Sequence, residues 1–423
     1  MTDTVPQYQA GTHDAMDRTE ALSILDRLAT HLRDGTTDMA PDQVRVPISY
    51  YLDEGLWEQE METIFRRIPL PVVLSAELPN PGDYKALRVC GREILVVRGA
   101  DGVMKAMINV CRHRSMKLVS EGCGNARRFS CGYHGWTYGT DGKLLGVTQE
   151  GTFGDVDRET HGLIELPCQE RAGIVFVCLT AGLAMDIDAW LGEALPYLER
   201  LQLDQCVHFT TKELRGPNWK VTLDGYLEGY HFATLHPNTV FLTNHSNRMT
   251  FDPLGPHLRN VFALKSLDDE MAKPRDEWNP ATTMGLVYWL FPGMSIAGGW
   301  RERTVVSIML PGDSWGESMT WQTTLLRHAP GTADERAEAE RTAEWFFAAF
   351  RDEDYAAQTQ VQNGLASIAD SEMVIGRNEI AVQYAHDTVR RLMVGEPVHG
   401  TREWLGREPG SWTSCISLWP VAD

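Results

Sequence analysis

Five residues in one segment near the middle of the chain suggest a metal site or an acid-lined catalytic face. If a helix runs through this segment, Asp224, Glu228 and His231 fall at positions i, i+4 and i+7 and share one face. Pro237 should end that helix near His236, so that the second imidazole turns back toward the first. Two histidines and a carboxylate form the set that holds non-haem Fe(II) with coordination positions left open. An ordinary helix with wet acids and buried, hydrogen-bonded histidines is the alternative.

A second group of metal-binding side chains lies upstream. Cys111 and His113 form one pair, and Cys131 and His134 form another. Two thiolates and two imidazoles suit one tetrahedral Zn(II), or a Rieske [2Fe–2S] centre in which the cysteines bind one iron and the histidines the other. Strand-like sequence, rather than a zinc-finger helix, surrounds both pairs and favours the cluster. Cys123 lies between the pairs without a matching histidine, so it is not assigned as a ligand.

Together, the two motifs resemble those of the oxygenase α subunit of Rieske non-haem iron oxygenases, the ring-hydroxylating dioxygenase family. The chain reads C-R-H-R-S and C-G-Y-H-G-W-T-Y, then N-W-K, D-G-Y-L-E-G-Y-H and H-P, in the family's order. The resemblance covers about residues 46–386. It implies that Cys111 and Cys131 bind one cluster iron and that His113 and His134 bind the other.

The resemblance also implies the ligands of a mononuclear Fe(II). His231 and His236 occupy the positions of the two histidine ligands, and the third ligand should be a carboxylate. The family pattern of E-D, seven residues and Q-x-G-L fits the chain best with Asp354 as that ligand. Asp352 and Glu353 are the neighbouring alternatives.

Glu228 stands where the family more often has Asp. In the family, this residue links a mononuclear-site histidine to a cluster histidine of the neighbouring subunit, which here would be His231 and His134. The spacing agrees, because Glu228 lies about one helical turn before His231 and could orient it. We predict Glu228 and Asp224 as the catalytic carboxylates. A second departure from the family is Ser115, which replaces a frequent glycine beside the first cluster pair.

The resemblance implies partners as well as cofactors. A Rieske cluster would store electrons that a mononuclear Fe(II) uses with O₂ and a small-molecule substrate. The chain has no G-x-G-x-x-G strand–turn–helix signature, so NAD(P)H should be oxidised by a separate reductase that delivers electrons directly or through a ferredoxin. A head-to-tail homotrimer is the simplest expected assembly, and a β subunit remains open.

Composition excludes several other classes of function. The 423 residues include 39 basic and 58 acidic ones, for a net charge of −19, which disfavours binding to nucleic acid or to an anionic membrane surface. No secretory signal or membrane-spanning run is visible. Eight cysteines in so long a chain do not form a disulfide framework, so we expect a cytoplasmic protein.

Hydrophobic periodicity predicts helices and strands in separate stretches. Helical spacing covers residues 20–32, with Gly35 as the stop, and residues 50–67 are a second helical candidate. Short strand-like runs with Pro-, Gly- and Asp-containing turns occupy residues 68–167. Three antiparallel strands follow between residues 286 and 326, and a capping box then opens a long helix.

These elements and the resemblance give an α+β fold class. An all-β Rieske [2Fe–2S] domain is expected to be inserted in a helix-grip catalytic domain, with a central antiparallel sheet flanked by helices. We predict residues 1–44 as the N-terminal helical segment of the catalytic domain, residues 45–168 as the Rieske domain, and residues 169–423 as the mononuclear-iron domain.

The substrate is the least determined feature. Hydroxylation of an aromatic or similarly apolar molecule is the first interpretation, and oxidation or demethylation of a quaternary or methylated amine is the alternative. A Rieske electron carrier without oxygenase activity and a zinc-binding module are the alternatives from other classes. Six apolar residues are predicted to lie in the pocket: Phe232, Leu235, Val240, Phe241, Tyr288 and Met294.

Overall fold

The computed structural model describes residues 15–298, 302–396 and 398 of the chain. Within these residues the chain forms two compact units. The smaller unit comprises Glu60–Trp190 and Gln202–Cys206, and the larger unit comprises the described residues up to Gln59, Leu191–Leu201 and those from Val207 onward. The smaller unit is therefore inserted in the sequence of the larger one.

The described residues form thirteen α-helices. Helices α1 to α13 span Arg18–Asp34, Ser49–Leu52, Glu54–Glu60, Glu150–Phe153, Ile187–Leu191, Leu195–Leu201, Trp219–Tyr226, Phe232–Leu235, Ser266–Glu270, Pro280–Thr283, Ala333–Ala349, Tyr355–Leu365 and Ile380–Met393. Two π-helical turns span Met61–Phe65 and Phe350–Asp354. Short 3-10 turns span Ser75–Glu77, Gly192–Ala194, Leu203–Gln205, Val240–Leu242, Arg275–Glu277 and Ala366–Ile368.

Strands β1 to β20 span Val44–Pro47, Leu70–Leu74, Asp83–Val89, Arg92–Arg98, Met104–Ile108, Gly122–Asn125, Arg128–Ser130, Thr137–Gly139, Leu144–Gly146, Glu165–Leu166, Cys168–Arg171, Ile174–Val177, Val207–Gly216, Asn244–Leu254, His257–Leu264, Met284–Leu290, Met294–Gly298, Arg303–Pro311, Ser318–Leu326 and Glu372–Ile375. All their pairings are antiparallel.

The smaller unit consists of three antiparallel sheets. Their strand orders are β10-β5-β4-β3-β6, β11-β12-β2 and β7-β8-β9. Tight turns join neighbouring strands where the sequence has Gly102 and Gly142, whose φ angles of 79° and 80° favour glycine. The core is formed by inward-facing residues such as Leu95, Trp136 and Tyr138. These sheets hold two loops, residues 111–116 and 131–136, between their strands.

The larger unit is built on one seven-stranded antiparallel sheet of order β13-β19-β18-β17-β16-β15-β14. Strands β14 to β19 follow one another in sequence and in space, and β13 pairs with β19 at the far edge. Helix α7 packs against β18 and α12, and α1 packs against β14. The sheet flanked by helices has the predicted α+β architecture.

Several predicted elements are confirmed. Helix α1 begins after Asp17, whose carboxylate accepts the backbone N–H of Thr19 at 2.8 Å, and ends at Gly35 with φ 69°. The capping box before α11 is also present, with Thr332 as the N-cap. The single helix predicted for residues 50–67 is wrong, because the structure divides it into α2, α3 and a π turn.

The predicted domain boundaries differ from the compact units. Strand β1 pairs with β20 of the larger unit, so the smaller unit does not begin at residue 45. Strands β11 and β12 continue the sheet of β2, so the smaller unit extends past residue 168 to Trp190. The predicted outer ends, residues 1 and 423, lie outside the described residues. No described helix is long and apolar enough to span a membrane.

Candidate active site

The segment that carries the histidine pair is a broken helix. Helix α7 starts at the N-cap Asn218, whose side chain accepts the backbone N–H of Lys220 at 2.8 Å, and it ends at Tyr226. Four non-helical residues then lead to His231, the N-cap of the short helix α8. The prediction of one continuous helix is therefore wrong.

Local hydrogen bonding accounts for the break. The Glu228 carboxylate accepts the backbone N–H groups of Tyr230 and His231, the second at 3.2 Å. Such side-chain-to-backbone bonds compete with the helical hydrogen-bond ladder, and Gly225 and Gly229 reduce helix propensity on either side. In this turn the Glu228 carboxylate reaches His231, although the two residues do not lie on one face of a helix.

The Asp224 side chain bonds to residues of the larger unit other than the two histidines. Its carboxylate accepts the hydroxyl of Tyr51 at 2.9 Å and bonds to His386 Nε2 at 2.7 Å. The other ring nitrogen of His386 bonds to the Tyr50 hydroxyl at 2.9 Å. Asp224 thus ties α7 to α2 and α13 instead of joining Glu228, and its predicted catalytic role remains untested.

The two histidines and Asp354 meet in space although Asp354 is more than a hundred residues away in the chain. Their imidazole rings lie 5.0 Å apart between centroids. Asp354 Oδ1 lies 3.1 Å from His236 Nε2 and 3.5 Å from His231 Nε2. One possible ligand atom from each residue falls within 4.8 Å of the others. The predicted ligand set is therefore brought together, with His236 and Asp354 buried and His231 half-buried.

A second carboxylate contacts the outer nitrogen of each histidine. Glu228 bonds to Nδ1 of His231, and Glu353 bonds to Nδ1 of His236 at 2.5 Å. Thr239 donates its hydroxyl to the same Glu353 oxygen at 2.5 Å. Carboxylates placed in this way fix the tautomer and ring orientation of metal-binding histidines. Sequence reasoning considered Glu353 only as an alternative ligand and missed this positioning role.

The π turn Phe350–Asp354 aims both acids at the site. It lies between α11 and α12. The wider turn presents Glu353 and Asp354, although adjacent in sequence, to His236 from two sides. Single π turns inside helices are frequent at functional sites.

The charges of His231, His236 and Asp354 shift one another's pKa values. Burial alone would lower the pKa of His231, but Asp354 and Glu228 outweigh it and raise that pKa to about 9. The pKa of His236 is also raised against the effect of burial, mainly by Asp354. Burial would raise the pKa of Asp354, but the two imidazoles hold it below its usual value. The raised pKa values show that the acids around the two rings stabilise positive charge there. A bound Fe(II) would take the place of the ring protons and be stabilised by the same acids, as a 2-His-1-carboxylate site requires.

Replacing Glu353 by glutamine is expected to weaken metal binding at this group about 10- to 100-fold, because the His236 ring loses its anionic partner. Metal titration of the chelator-treated protein measures the effect. The matched control is Asp352→Asn, since Asp352 is exposed and paired with Arg351. Equal affinities of the Glu353 variant and the wild type would contradict the positioning role.

A cavity of about 510 Å³ adjoins the three converging residues. His231, His236 and Asp354 lie in its wall. Aromatic side chains form much of the remaining lining: Tyr226, Phe232, Phe262, Trp345, Phe346 and Phe350. Of the six predicted pocket residues, Phe232 and Val240 line the cavity and the other four do not. The volume is that of a small-molecule site.

The cysteine and histidine pairs of the smaller unit occupy two loops with the same backbone pattern. In the first loop, Cys111 donates its N–H to Met116 O and accepts that of Ser115. Cys131 makes the corresponding bonds in the second loop, to Trp136 O and from Gly135 N. Both cysteines are buried, with 2% and 4% of their surface exposed.

The two histidines of these loops lie side by side. The rings of His113 and His134 are 4.6 Å apart between centroids, and His113 stacks on Trp136 at 5.0 Å. His113 Nδ1 is buried and has no hydrogen-bond partner. Desolvation and the neighbouring His134 lower the pKa of His113, which favours the neutral form. A buried, neutral ring nitrogen without a hydrogen-bond partner is suited to bind a metal. The two cysteines and two histidines of the loops are the ligands that a Rieske [2Fe–2S] cluster requires.

Ser115 and Gly135 occupy equivalent loop positions. Their φ angles are 58° and 70°, in the left-handed region. A Cβ atom at Gly135 would lie 2.4 Å from Thr148 Oγ1, so glycine is required there on steric grounds as well. The departure at Ser115 therefore retains the loop geometry but places a side chain in a conformation that favours glycine.

The hydroxyl of Tyr138 contacts the first cysteine loop. It accepts the backbone N–H of Arg112 at 3.0 Å and lies 3.4 Å from Cys111 Sγ. Burial, together with Cys111, raises the pKa of Tyr138, so that the hydroxyl retains its proton and can donate it to the sulfur. Residue spacing does not indicate this contact, because Tyr138 lies on a strand rather than in either loop.

Tyr138→Phe is expected to lower the reduction potential of a bound cluster by about 40 mV, the equivalent of about 1 kcal/mol for a lost hydrogen bond that favours the reduced state. Redox titration followed by visible absorption measures the change. Tyr84→Phe is the control, because that ring packs on Phe129. An unchanged potential in the Tyr138 variant would contradict a bond to Cys111.

Comparison with protein families matches both parts of the chain. Residues 69–162 match the family described as "Rieske [2Fe-2S] domain". Residues 203–395 match the family described as "Ring hydroxylating alpha subunit (catalytic domain)". The two matches follow the order in which the cluster motif and the histidine pair occur.

Curated relatives include two kinds of oxygenase. The carnitine monooxygenase oxygenase subunit of Escherichia coli K12 is 29% identical over 76% of this chain and 84% of its own length. The anthranilate 1,2-dioxygenase large subunit of Acinetobacter baylyi is 30% identical over 51% of this chain. The chain matches 48% of that relative's length.

Solved structures show the same fold. A quaternary ammonium Rieske monooxygenase in complex with L-carnitine superimposes with a TM-score of 0.71 and 23% identity, covering 86% of this chain and 98% of the other. A naphthalene 1,2-dioxygenase with indole bound superimposes with a TM-score of 0.64 and 19% identity, covering 90% and 98%.

Proposed function

Because the chain belongs to the Rieske non-haem iron oxygenases as an α, or terminal oxygenase, subunit, we propose that it catalyses the O₂-dependent oxidation of a small molecule in the cavity beside His231. The family's cofactors are a Rieske [2Fe–2S] cluster and a mononuclear Fe(II). When bound, the cluster supplies electrons and the mononuclear iron activates O₂.

The observation that carries the proposal is the convergence of His231, His236 and Asp354 in the wall of a cavity of about 510 Å³. The three side chains would hold the iron on one side and leave its other side toward the cavity. Cys111 and Cys131, with His113 and His134, would hold the cluster. An electron carrier alone would not need the cavity or the second histidine pair.

The chain's own groups have separable tasks in this scheme. Glu228 and Glu353 hold the Nδ1 protons of the two histidines and thereby keep each Nε2 turned toward Asp354. The aromatic lining limits water around the reacting group of the substrate and packs against its apolar surface.

Two substrate classes agree with this cavity. Aromatic side chains suit the ring of an aromatic substrate, as in the naphthalene and anthranilate dioxygenases that the chain resembles. Aromatic faces also attract a quaternary or methylated ammonium group, which is the class that the carnitine and glycine betaine monooxygenases act on. An aromatic substrate would be hydroxylated on a ring carbon, and an ammonium substrate on a carbon next to nitrogen.

The proposed electron supply to the cluster implies partner proteins. We propose that a separate reductase passes electrons from NAD(P)H, directly or through a ferredoxin, and that the chain forms a homotrimer in the cytoplasm, with a β subunit left open. Glu228 would connect His231 to His134 of the partner subunit. Its position on His231 Nδ1 supports that role.

Glu228→Gln is expected to slow product formation about 10- to 100-fold when it is assayed with saturating Fe(II), while cluster absorption stays unchanged. The reason is that the variant loses the anionic partner of His231. Stopped-flow absorption of the cluster, after mixing reduced protein with O₂ and substrate, separates slow electron transfer from lost metal. Glu228→Asp retains the charge and should recover part of the rate. Wild-type cluster reoxidation in the glutamine variant would contradict the role.

Product analysis tests the proposed function directly. The purified protein is supplied with a reductase, NADH and O₂, and incubated with a panel of aromatic acids, aromatic hydrocarbons and methylated amines. An oxygenated or demethylated product that requires the mononuclear metal is expected. Turnover that persists after that metal is removed, with the cluster retained, would contradict the proposal.

A further inference from the structure

Positive charge is concentrated around the two cysteine loops of an otherwise acidic chain. The whole chain has a net charge of −19. Residues 105–128, which contain the first cysteine loop and lead to the second, have Glu121 as their one acid. The same stretch has six basic residues: Lys105, Arg112, Arg114, Lys117, Arg127 and Arg128. The excess of cations is therefore local to these loops.

Three of these six cations have no acidic partner. Lys105 and Lys117 form ion pairs with neighbouring acids, and the Arg114 guanidinium lies over the Tyr133 ring. The remaining three are exposed arginines: Arg112, Arg127 and Arg128. Their guanidinium groups form no ion pair or hydrogen bond with another residue in the part of the chain that the structure describes. Their charges are thus available to a partner protein.

Arg128 lines a groove of about 490 Å³. The rest of the lining includes the residues that follow the first cysteine loop and those of β7, which leads into the second. Leu118 and Phe129 line the groove and belong to the same packed core as Cys111 and Cys131. The groove therefore lies on the cysteine side of the two loops.

The histidine side of the loops has a different surface. Tyr133 and Phe153 are exposed there, and their rings contact those of His134 and His113. In the proposed trimer this side would face Glu228 of the partner subunit. A protein that delivers electrons then has to approach the loops from elsewhere, and the cysteine side offers the groove and the unpaired arginines.

We propose that an acidic electron-transfer protein binds on the cysteine side of the loops, where Arg112, Arg127 and Arg128 pair with its carboxylates and the groove receives part of its surface. In each encounter the reduced donor loses one electron and the oxidised cluster gains it, and no proton or chemical group is transferred. Guanidinium groups pair well with carboxylates, and complementary charge speeds association. This inference rests on the proposed function, and it specifies where the reductase or ferredoxin binds.

Anaerobic stopped-flow reduction of the cluster in the holoprotein tests this inference. The first reductant is a reduced plant-type [2Fe–2S] ferredoxin, an acidic one-electron carrier whose reduction potential lies below that of a Rieske centre. The second is the methyl viologen radical, a small cationic reductant. The variants are Arg112→Gln, Arg127→Gln and Arg128→Gln. Lys143→Gln is the matched control, because Lys143 is an exposed cation of the smaller unit outside the groove lining.

Each arginine variant is expected to lower the second-order rate constant with ferredoxin about threefold or more at low salt, and the three changes combined about 30-fold, because the surface loses positive charge. High salt should slow the wild type and reduce its difference from the variants. The control should react with ferredoxin as the wild type does. Methyl viologen should reduce all the proteins without loss of rate.

Three results would overturn the inference. The first is a ferredoxin rate that does not depend on salt or that all three variants leave unchanged. The second is equal slowing with both reductants, which indicates a damaged cluster instead of a lost docking contact. The third is dissociation of the assembly in the variants, measured by light scattering, which would assign the arginines to contacts between copies of this chain.

The outcome is distinguishable from failure of the proposed function, because cluster reduction requires neither the mononuclear metal nor an organic substrate. Arginine-dependent reduction by ferredoxin, without oxygenated product from any substrate, would retain the docking surface and count against the oxygenase. Product formation at the wild-type rate in all three variants, with ferredoxin limiting, would do the reverse.

Discussion

Asp354→Ala is expected to release the mononuclear metal and to lower product formation by more than about 100-fold, while the red-brown absorption of the cluster stays unchanged. The reason is geometric, because Asp354 Oδ1 lies within 3.5 Å of Nε2 on both His231 and His236. Removing it leaves two imidazoles as the remaining ligands. Metal analysis and product formation are measured on the same preparation.

The control for this change lies two residues away. Asp352 is exposed and paired with Arg351, so Asp352→Ala removes an acid from the same π turn without touching the histidines. It should keep the metal and the activity. Full metal content in the Asp354 variant, or equal losses in both variants, would contradict the assignment of Asp354 as the third ligand.

Cys131→Ser is expected to remove the Rieske cluster, its visible absorption and all reductase-dependent turnover. Cys131 is buried at the start of the second loop, and its thiolate is one of the two that would bind the same iron. A serine hydroxyl is a poor substitute for thiolate as an iron–sulfur ligand. Absorption, iron and acid-labile sulfide are the measurements.

Cys123→Ser provides the comparison for the second prediction. Cys123 lies on β6 and is exposed, outside the two donor loops. This variant should retain the cluster and its colour. A cluster that survives in Cys131→Ser, or one that is lost in Cys123→Ser alone, would show that the ligands are assigned incorrectly.

The cluster loops were the most predictable part of the chain. Each Cys/His pair lies within a few residues, so the sequence itself shows the donors that one short loop can present. What the sequence could not show was the tertiary contact from Tyr138, which reaches the Cys111 loop from a neighbouring strand.

The mononuclear site was predictable in its residues but not in its local structure. Helical periodicity placed Asp224, Glu228 and His231 on one face, whereas Glu228 breaks the helix by binding the backbone N–H groups of Tyr230 and His231. Asp224 is consequently directed to Tyr51 and His386. Competition between side-chain and helical hydrogen bonds has no simple signature in residue spacing.

The third ligand and the cavity depend on contacts between distant segments. Only the family pattern distinguished Asp354 from Asp352 and Glu353, because the three acids are consecutive in the sequence. The cavity wall combines side chains from several strands, such as Phe262 of β15, Leu286 of β16 and Val305 of β18, and they meet only through the strand register of the sheet. Such long-range register is not contained in local periodicity.

A single-turnover experiment with ¹⁸O₂ tests the central claim most directly. The cluster is first reduced, excess reductant is removed, and the protein is mixed with ¹⁸O₂ and a substrate identified from the panel. We expect the cluster to be reoxidised as an organic product hydroxylated with ¹⁸O forms. If the reaction is a demethylation, the amount of formaldehyde is measured instead, because its oxygen exchanges with water. Reoxidation of the cluster without any product, or product formed without the mononuclear metal, would contradict the account.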